Sequence, residues 1–277
     1  MRFKTVLSVT AIDQSDRDLK AAERLCEESG SHLAVLVASV APPPPIEEYA
    51  AVSDLWVRER EEAARQLRER VDAVNADLGA SGVSADVDTV FAERPVISGA
   101  VGRRARYSDL LFVGPELIKD RRLAAAVLQG ALFEANCPVL IVPEGATPTL
   151  RPRRVMVAWS STLEASSAVR KAVGILAEAE AAHVVLVDPQ ATAGDNGPEP
   201  GADVAAYLAR HGAKVTVERL PSGGKDIAEV LRQHAIDISA DMIVMGAYGH
   251  SRLRQWIFGG VTKQLTEKPP LPLFLAR

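Results

Sequence analysis

Short apolar runs alternate with longer amphipathic stretches along the whole chain. Thr5 to Thr10 is β-branched and apolar, bounded by Asp13 and Ser15, and predicts a buried first strand. A helical pattern follows with Leu19, Ala22, Leu25 and Cys26 on one face and Gly30 to close it, and Leu33 to Ala38 is again strand-like. Strand, helix, strand in this order implies a parallel pair joined by a right-handed crossover. Pro42 to Pro45 interrupt the chain as a rigid elbow, and residues 46 to 78 form a charged helical stretch with one apolar stripe: Leu67, Val71, Val74 and Leu78. Ala85 to Phe91 alternates as a strand and Val96 to Ala105 predicts a helix.

The pattern then recurs. Asp109-Leu110-Leu111-Phe112-Val113-Gly114 matches the stretch Asp241 to Gly246, and Cys137 to Pro143 matches Leu271 to Leu275. Repetition at domain length points to two copies of one fold. Gly145 to Arg153, rich in Pro, Thr and Arg, separates them. From Arg154 the order restarts, with a strand at Val155 to Trp159 and a helix carrying Ala165, Val169, Ala172, Val173 and Leu176 on one side. A strand at His183 to Val187, a loop from Pro189 to Gly201, a helix containing Tyr207, a strand at Lys214 to Leu220 and a helix at Ile227 to His234 precede the last strand, loop, helix and strand. Each half carries about five strands alternating with helices. The expected fold is α/β: two tandem doubly wound, Rossmann-like domains with mostly parallel five-stranded sheets, residues 1–145 and 154–277.

Composition narrows the partners. With 277 residues there is room for two cores, and a formal net charge of −4 carries no electrostatic footprint for nucleic acid or an anionic membrane surface. The two cysteines, Cys26 and Cys137, lie outside any metal or redox spacing and are expected to be reduced and inert. The amino-terminal stretch turns polar at Asp13 before a signal-peptide apolar region is complete, so a cytoplasmic protein without a membrane span is expected. His32, His183, His211 and His234 lack the spacing of metal ligands or of a nucleophile's base.

The chemistry concentrates near the carboxyl terminus. Asp241 to Gly246 is an apolar run ending in glycine. Gly249 follows three residues on, and Gly259 and Gly260 open a helical pattern. Glycine lets backbone approach a ligand without a Cβ in the way, and free amides near a helix start favour an anion of phosphate size. The spacing Gly246-x-x-Gly249, nine residues, Gly259 is similar to the nucleotide loop of the universal stress proteins, a UspA-like family. That resemblance implies an adenine nucleotide alpha hydrolase-like fold. It also implies a nucleotide site for ATP, ADP or AMP, with accompanying Mg²⁺, in the second half. Phosphates would rest on Gly246, Gly249, Gly259, Gly260 and Val261 with a hydroxyl from Thr262, and Ala158, Ser160, Val187 and Met245 would line the nucleoside side. Two positions depart from the family pattern: Gly260 stands where a Ser or Thr is usual, and Ser160 where an Asp is usual. His250 and Ser251 lie beside the loop.

In the first half Gly114-Pro115-Glu116-Leu117 places a proline and an acid where free amides are wanted, and Ala125-Ala126 stands near the second glycine pair's position. That half is expected to be structural or regulatory, with Asp13 as a helix cap. Ser222-Gly223-Gly224-Lys225-Asp226-Ile227 resembles the SGGxDS loop of ATP pyrophosphatases, but it ends in Ile227 and follows a third strand, and a helix-opening turn accounts for it. In the universal stress proteins subunits pair through their last strands, so Val139 to Val142 and Leu273 to Leu275 would form an internal pseudo-dimer, with a homodimer as a further assembly. No residue stands out as a base, so the chain is expected not to be an enzyme, with slow ATP hydrolysis left open as the alternative. The alternative to a nucleotide-binding regulator is a nucleotide-free interaction module.

Overall fold

The computed structural model describes residues 3–41, 54–191, 198–247 and 260–277. The proline elbow at 42–45 lies outside them. The chain divides into two compact units, Phe3–Cys137 and Pro138–Arg277.

In the first unit β1 (Thr5–Ala11), α1 (Arg17–Ser29), β2 (His32–Val40), α2 (Asp54–Ser81), β3 (Ala85–Ala92), α3 (Arg94–Ala105) and β4 (Leu110–Val113) alternate. Two short helices, α4 (Pro115–Lys119) and α5 (Arg121–Gln129), and a π-helical turn at Gly130–Glu134 complete it. The strand order is β3-β2-β1-β4, all parallel. Val6, Leu7, Leu33, Val35, Leu110, Leu111 and Phe112 are fully buried, which explains why β1, β2 and β4 are continuous apolar runs: helices cover both faces of a parallel sheet. Gly30 ends α1 in the left-handed conformation at φ 66°, donating its N–H to the Cys26 carbonyl, a conformation that costs a residue with a Cβ more. The cap before α1 is Asp16 rather than Asp13. Helix α2 buries Leu67, Val74 and Leu78, three of its four predicted stripe positions.

The second unit begins with β5 (Val139–Ile141), then β6 (Arg154–Ala158), α6 (Leu163–Lys171), α7 (Val173–Glu178), β7 (Ala181–Val187), α8 (Ala202–Arg210), β8 (Val215–Leu220), α9 (Ile227–Asp237), β9 (Met242–Gly246), α10 (Gly260–Glu267) and β10 (Leu273–Ala276). Its order is β5-β10-β9-β6-β7-β8. Five strands run parallel, and β5 lies antiparallel on β10 through Val139–Leu275, Leu140–Phe274 and Ile141–Leu273. The last strand of the first half of the sequence therefore belongs to the second unit, which leaves four strands among the described residues of the first. The helix expected across 165–176 bends at Ala172 (φ −90°, ψ 2°) into α6 and α7, while Ala172 N–H to Ala168 O and Leu176 N–H to Ala172 O carry the bonding through the bend.

One device occurs in both units. The Asp109 carboxylate accepts the N–H groups of Lys4 and Thr5 at 2.7 and 3.0 Å, and the Asp241 carboxylate those of Arg153 and Arg154 at 2.9 and 2.8 Å. In return Asp109 N–H bonds Thr5 O and Asp241 N–H bonds Arg154 O. Asp109 thus ties the start of β4 to the start of β1, and Asp241 the start of β9 to the start of β6, and each satisfies amides that no neighbouring strand reaches.

Both cysteines are buried thiols, Cys137 donating its Sγ–H to the Ser108 carbonyl at 3.5 Å, and burial pushes the Cys26 thiol up to about 12, which suppresses the reactive thiolate. Among the described residues no helix is long and apolar enough to cross a membrane.

Candidate functional site

In the second unit the chain runs from β6 outward to β7 and β8, then returns to β9 and β10 on the other side of β6. Strand order reverses between β6 and β9, and beyond the carboxyl ends of such a pair an open α/β sheet leaves a crevice. Register puts Ala158 opposite Val185 on β7 and Met245 on β9, and Val187 opposite Leu220 on β8. By the two-residue period of a strand, Ala158, Val187 and Met245 share one sheet face, while Trp159 and Gly246 take the other. Three of the predicted nucleoside-side residues are thereby gathered at one end of one face. Met245 is buried, and Ala158 and Val187 are half-buried.

The loop after β6 is held by its own hydrogen bonds. Trp159 N–H reaches Val185 O at 2.9 Å, and its indole Nε1 donates to Ser161 Oγ at 3.0 Å. Ser161 sits at φ 51°, where a residue with a Cβ is uncommon and the surrounding structure must hold it. Thr162 caps α6, its Oγ1 accepting Ala165 N–H at 3.2 Å. Ser160 is exposed, with its hydroxyl 3.4 Å from that of Thr162. A neutral hydroxyl there is a weaker acceptor for a ribose than a carboxylate.

Gly246 is required for a reason the sequence does not display. A Cβ on it would fall 2.4 Å from Ala165 N and 2.6 Å from the Glu164 carbonyl carbon, so the first turn of α6 packs backbone to backbone on the end of β9. This close approach sets the start of α6 against the crevice. Gly249 and Gly259, with His250 and Ser251, lie outside the described residues. Gly260 opens α10 with nothing among the described residues within 4 Å of where a Cβ would stand, Val261 is half-buried, and Thr262 is 6% exposed. Helix α10 packs beside α9: Gln264 Nε2 donates to Asp226 Oδ2 at 3.1 Å, and Arg232 approaches the Gln264 and Lys268 carbonyls at 3.4 Å.

Beyond β7 the chain turns through Asp188 at φ 47°, whose carboxylate accepts Ser222 N–H at 2.9 Å. This bond ties the carboxyl end of β7 to the glycine turn after β8, where Gly223 and Gly224 have φ of 60° and 83°. Asp226 then caps α9, accepting Ala228 N–H at 2.8 Å, so the Ser222 to Ile227 segment is a helix-opening turn. The Ser222 side-chain and backbone bonds hold the Asp188 carboxyl below its ordinary 3.8. A lowered folded-state value means the contribution is complete above the unfolded value and disappears as pH falls through the folded one. A carboxyl-carbon titration by NMR is expected to give Asp188 a midpoint below 3.8, moving up to the ordinary range when Ser222 is replaced by proline, which has no N–H.

The fold also joins two histidines that are 51 positions apart in sequence. Glu218 on β8 lies 2.5 Å from His183 Nδ1 on β7 and 2.8 Å from His234 Nε2 on α9. All three are mostly buried, and they fasten α9 to the sheet face that carries Ala158, Val187 and Met245. No local spacing announces this cluster, because it is assembled by strand register and helix packing.

A family model described as the universal stress protein family matches residues 152–277. This stretch of the chain is thus similar to the universal stress protein family. A universal stress protein of Synechocystis is 32% identical over 100 residues, which cover 34% of this chain and 32% of that protein. The stress response protein NhaX of Bacillus subtilis is 42% identical over 45 residues, 16% of this chain and 27% of that one. The chain thus spans about a third or less of the length of these curated relatives. Among solved structures, a universal stress protein from Archaeoglobus fulgidus superposes with a TM-score of 0.65 at 19% identity, covering 99% of this chain and 96% of the other. That likeness shows the fold. The matched residues contain the whole reversal point between β6 and β9.

Proposed function

We propose that this chain is a universal stress protein that binds an adenine nucleotide, ATP, ADP or AMP, in the crevice of its second unit and serves a regulatory role in a stress response. The observation that carries the reading is the convergence of Ala158, Val187 and Met245 at the carboxyl ends of β6, β7 and β9, beside a helix start that Gly246 admits to the sheet. The adenosine lies against these apolar side chains, Ser160 faces the ribose, and the phosphates, with Mg²⁺, rest on amides around Gly246, Gly249, Gly259, Gly260 and Val261 with Thr262 supplying a hydroxyl. The activity we propose is nucleotide binding, with slow ATP hydrolysis as the alternative to be tested. The antiparallel seam of β5 on β10 supports an internal pseudo-dimer of the two halves, with a homodimer as a further assembly in the cytoplasm. The neutral Ser160 favours the second reading, a nucleotide-free interaction module.

The two separate in a thermal-shift series. Saturation at a hundred times Kd stabilises the folded state by about 2.7 kcal/mol, a shift of several degrees, and quenches Trp159 fluorescence in step with it. Gly260→Ser, which adds a hydroxyl where no described residue lies within 4 Å, is expected to lower Kd several-fold, and Gly249→Trp to abolish the shift. No shift with any of the three nucleotides, and none in their co-purification, leaves the interaction module.

A further inference from the structure

The first unit carries the same reversal of strand order, between β1 and β4, and Gly114 directly follows β4 where Gly246 ends β9. The two places correspond through Asp109 and Asp241, which open the two strands with the same pair of bonds. What fills them differs. Asp18, in the first turn of α1, is 3% exposed, and its carboxylate oxygens accept Glu116 N–H at 3.1 Å and Leu117 N–H at 2.9 Å. A Cβ on Gly114 would fall 2.3 Å from the Asp18 carboxyl carbon. Gln14 closes the side of the crevice, accepting Ala11 N–H at 3.0 Å and reaching Glu116 O at 3.4 Å. In the second unit the atoms that meet Gly246 belong to the peptide joining Glu164 to Ala165, with no carboxylate among them.

We infer that Asp18 is a resident anion: it fills the first unit's crevice from within, so this unit is complete without a ligand and the chain takes at most one nucleotide. Bare glycine and main-chain amides following the fourth strand are what a ligand's phosphate would require, and here they are already committed to a side chain of the same chain. Burial raises the Asp18 carboxyl above its ordinary 3.8, while the bonds from Leu117 and Glu116 pull it down by favouring the charged form. The inference stands whether or not the second unit binds a nucleotide.

The test is hydrogen exchange on the full chain. In wild type the Glu116 and Leu117 amides are expected to be protected, to exchange at least tenfold faster in Asp18→Ala, and to fall between the two in Asp18→Asn, whose one carbonyl oxygen still accepts. Amides of Leu33 to Ala38 in β2 serve as the reference, because global loosening would speed them too. If Asp18→Ala loosens β2, the comparison moves to Asp18→Asn, which keeps the side chain's size. Unchanged exchange at Glu116 and Leu117 in both variants overturns the inference. Calorimetric titration with ATP gives the second arm: saturation at one per chain, or none, agrees with a closed first unit, and two per chain overturns it. A count of none would sink the nucleotide reading alone.

Discussion

Gly246→Ala is expected to lower the stability of the folded chain by about 3 kcal/mol, the upper part of the range for overpacking at a site that cannot yield. The added Cβ would stand 2.4 Å from Ala165 N and 2.9 Å from Ala165 Cα, and these are backbone atoms of the first helical turn. A flexible side chain could swing aside. A helix start can relieve the clash only by lifting α6 off the sheet, and α6 buries Ala165, Ala168 and Val169. Denaturant unfolding gives the measurement, with a lower midpoint at unchanged slope. Gly260→Ala is the control: among the described residues nothing lies within 4 Å of its Cβ, so its effect is expected to stay within about 0.5 kcal/mol. Equal effects at the two glycines would mean that the helix does not approach the strand as described. The comparison matters for function as well, because any loss of nucleotide binding in a Gly246 variant must be separated from loss of fold, whereas at Gly260 the two come apart.

The second large effect is expected at the seam. Phe274 is fully buried in β10, with Leu140 of β5 on one side and Val244 of β9 on the other. Phe274→Ala removes a ring from between two strands that are themselves buried, and about 4 kcal/mol should be lost, transfer and cavity terms together. Leu140→Ala, acting from β5, is expected to cost about 3 kcal/mol, and the double variant less than the sum because the two share one cavity. Additive losses, read from the same unfolding curves, would show that the β5–β10 pair does not pack as a single layer.

Much of this architecture is legible in the letters because it is dictated locally. Buried parallel strands must be apolar on both faces, so Thr5 to Thr10 and Leu33 to Ala38 announce themselves, and Gly30 marks a helix end because only glycine takes its φ of 66° without cost. The likeness of Asp109–Gly114 to Asp241–Gly246 is visible in sequence too, although the task of each aspartate, receiving two amides of another strand, is not. What stays hidden is assembled over distance. Asp18 meets amides 98 and 99 positions away, so nothing near it in sequence distinguishes it from a solvated helix acid. His183, Glu218 and His234 come together only once β7, β8 and α9 are in register. Gly246 is legible as glycine with a purpose, but its spacing suggests a ligand where the fold gives an additional cause, the peptide of Glu164 and Ala165. The bend at Ala172 is likewise silent, because alanine is the best of helix formers and only packing decides that the helix turns there.

The most direct test of the central proposal, that an adenine nucleotide sits in the crevice at the β6–β9 reversal, is amide exchange mapped along the full chain with and without saturating ATP. Slowed exchange confined to the segments around Trp159 to Ala165 and Met245 to Thr262, with the first unit unaltered, is the predicted footprint. Slowed exchange centred on Gly114 to Leu117, or a pattern that ATP leaves untouched everywhere, would contradict it.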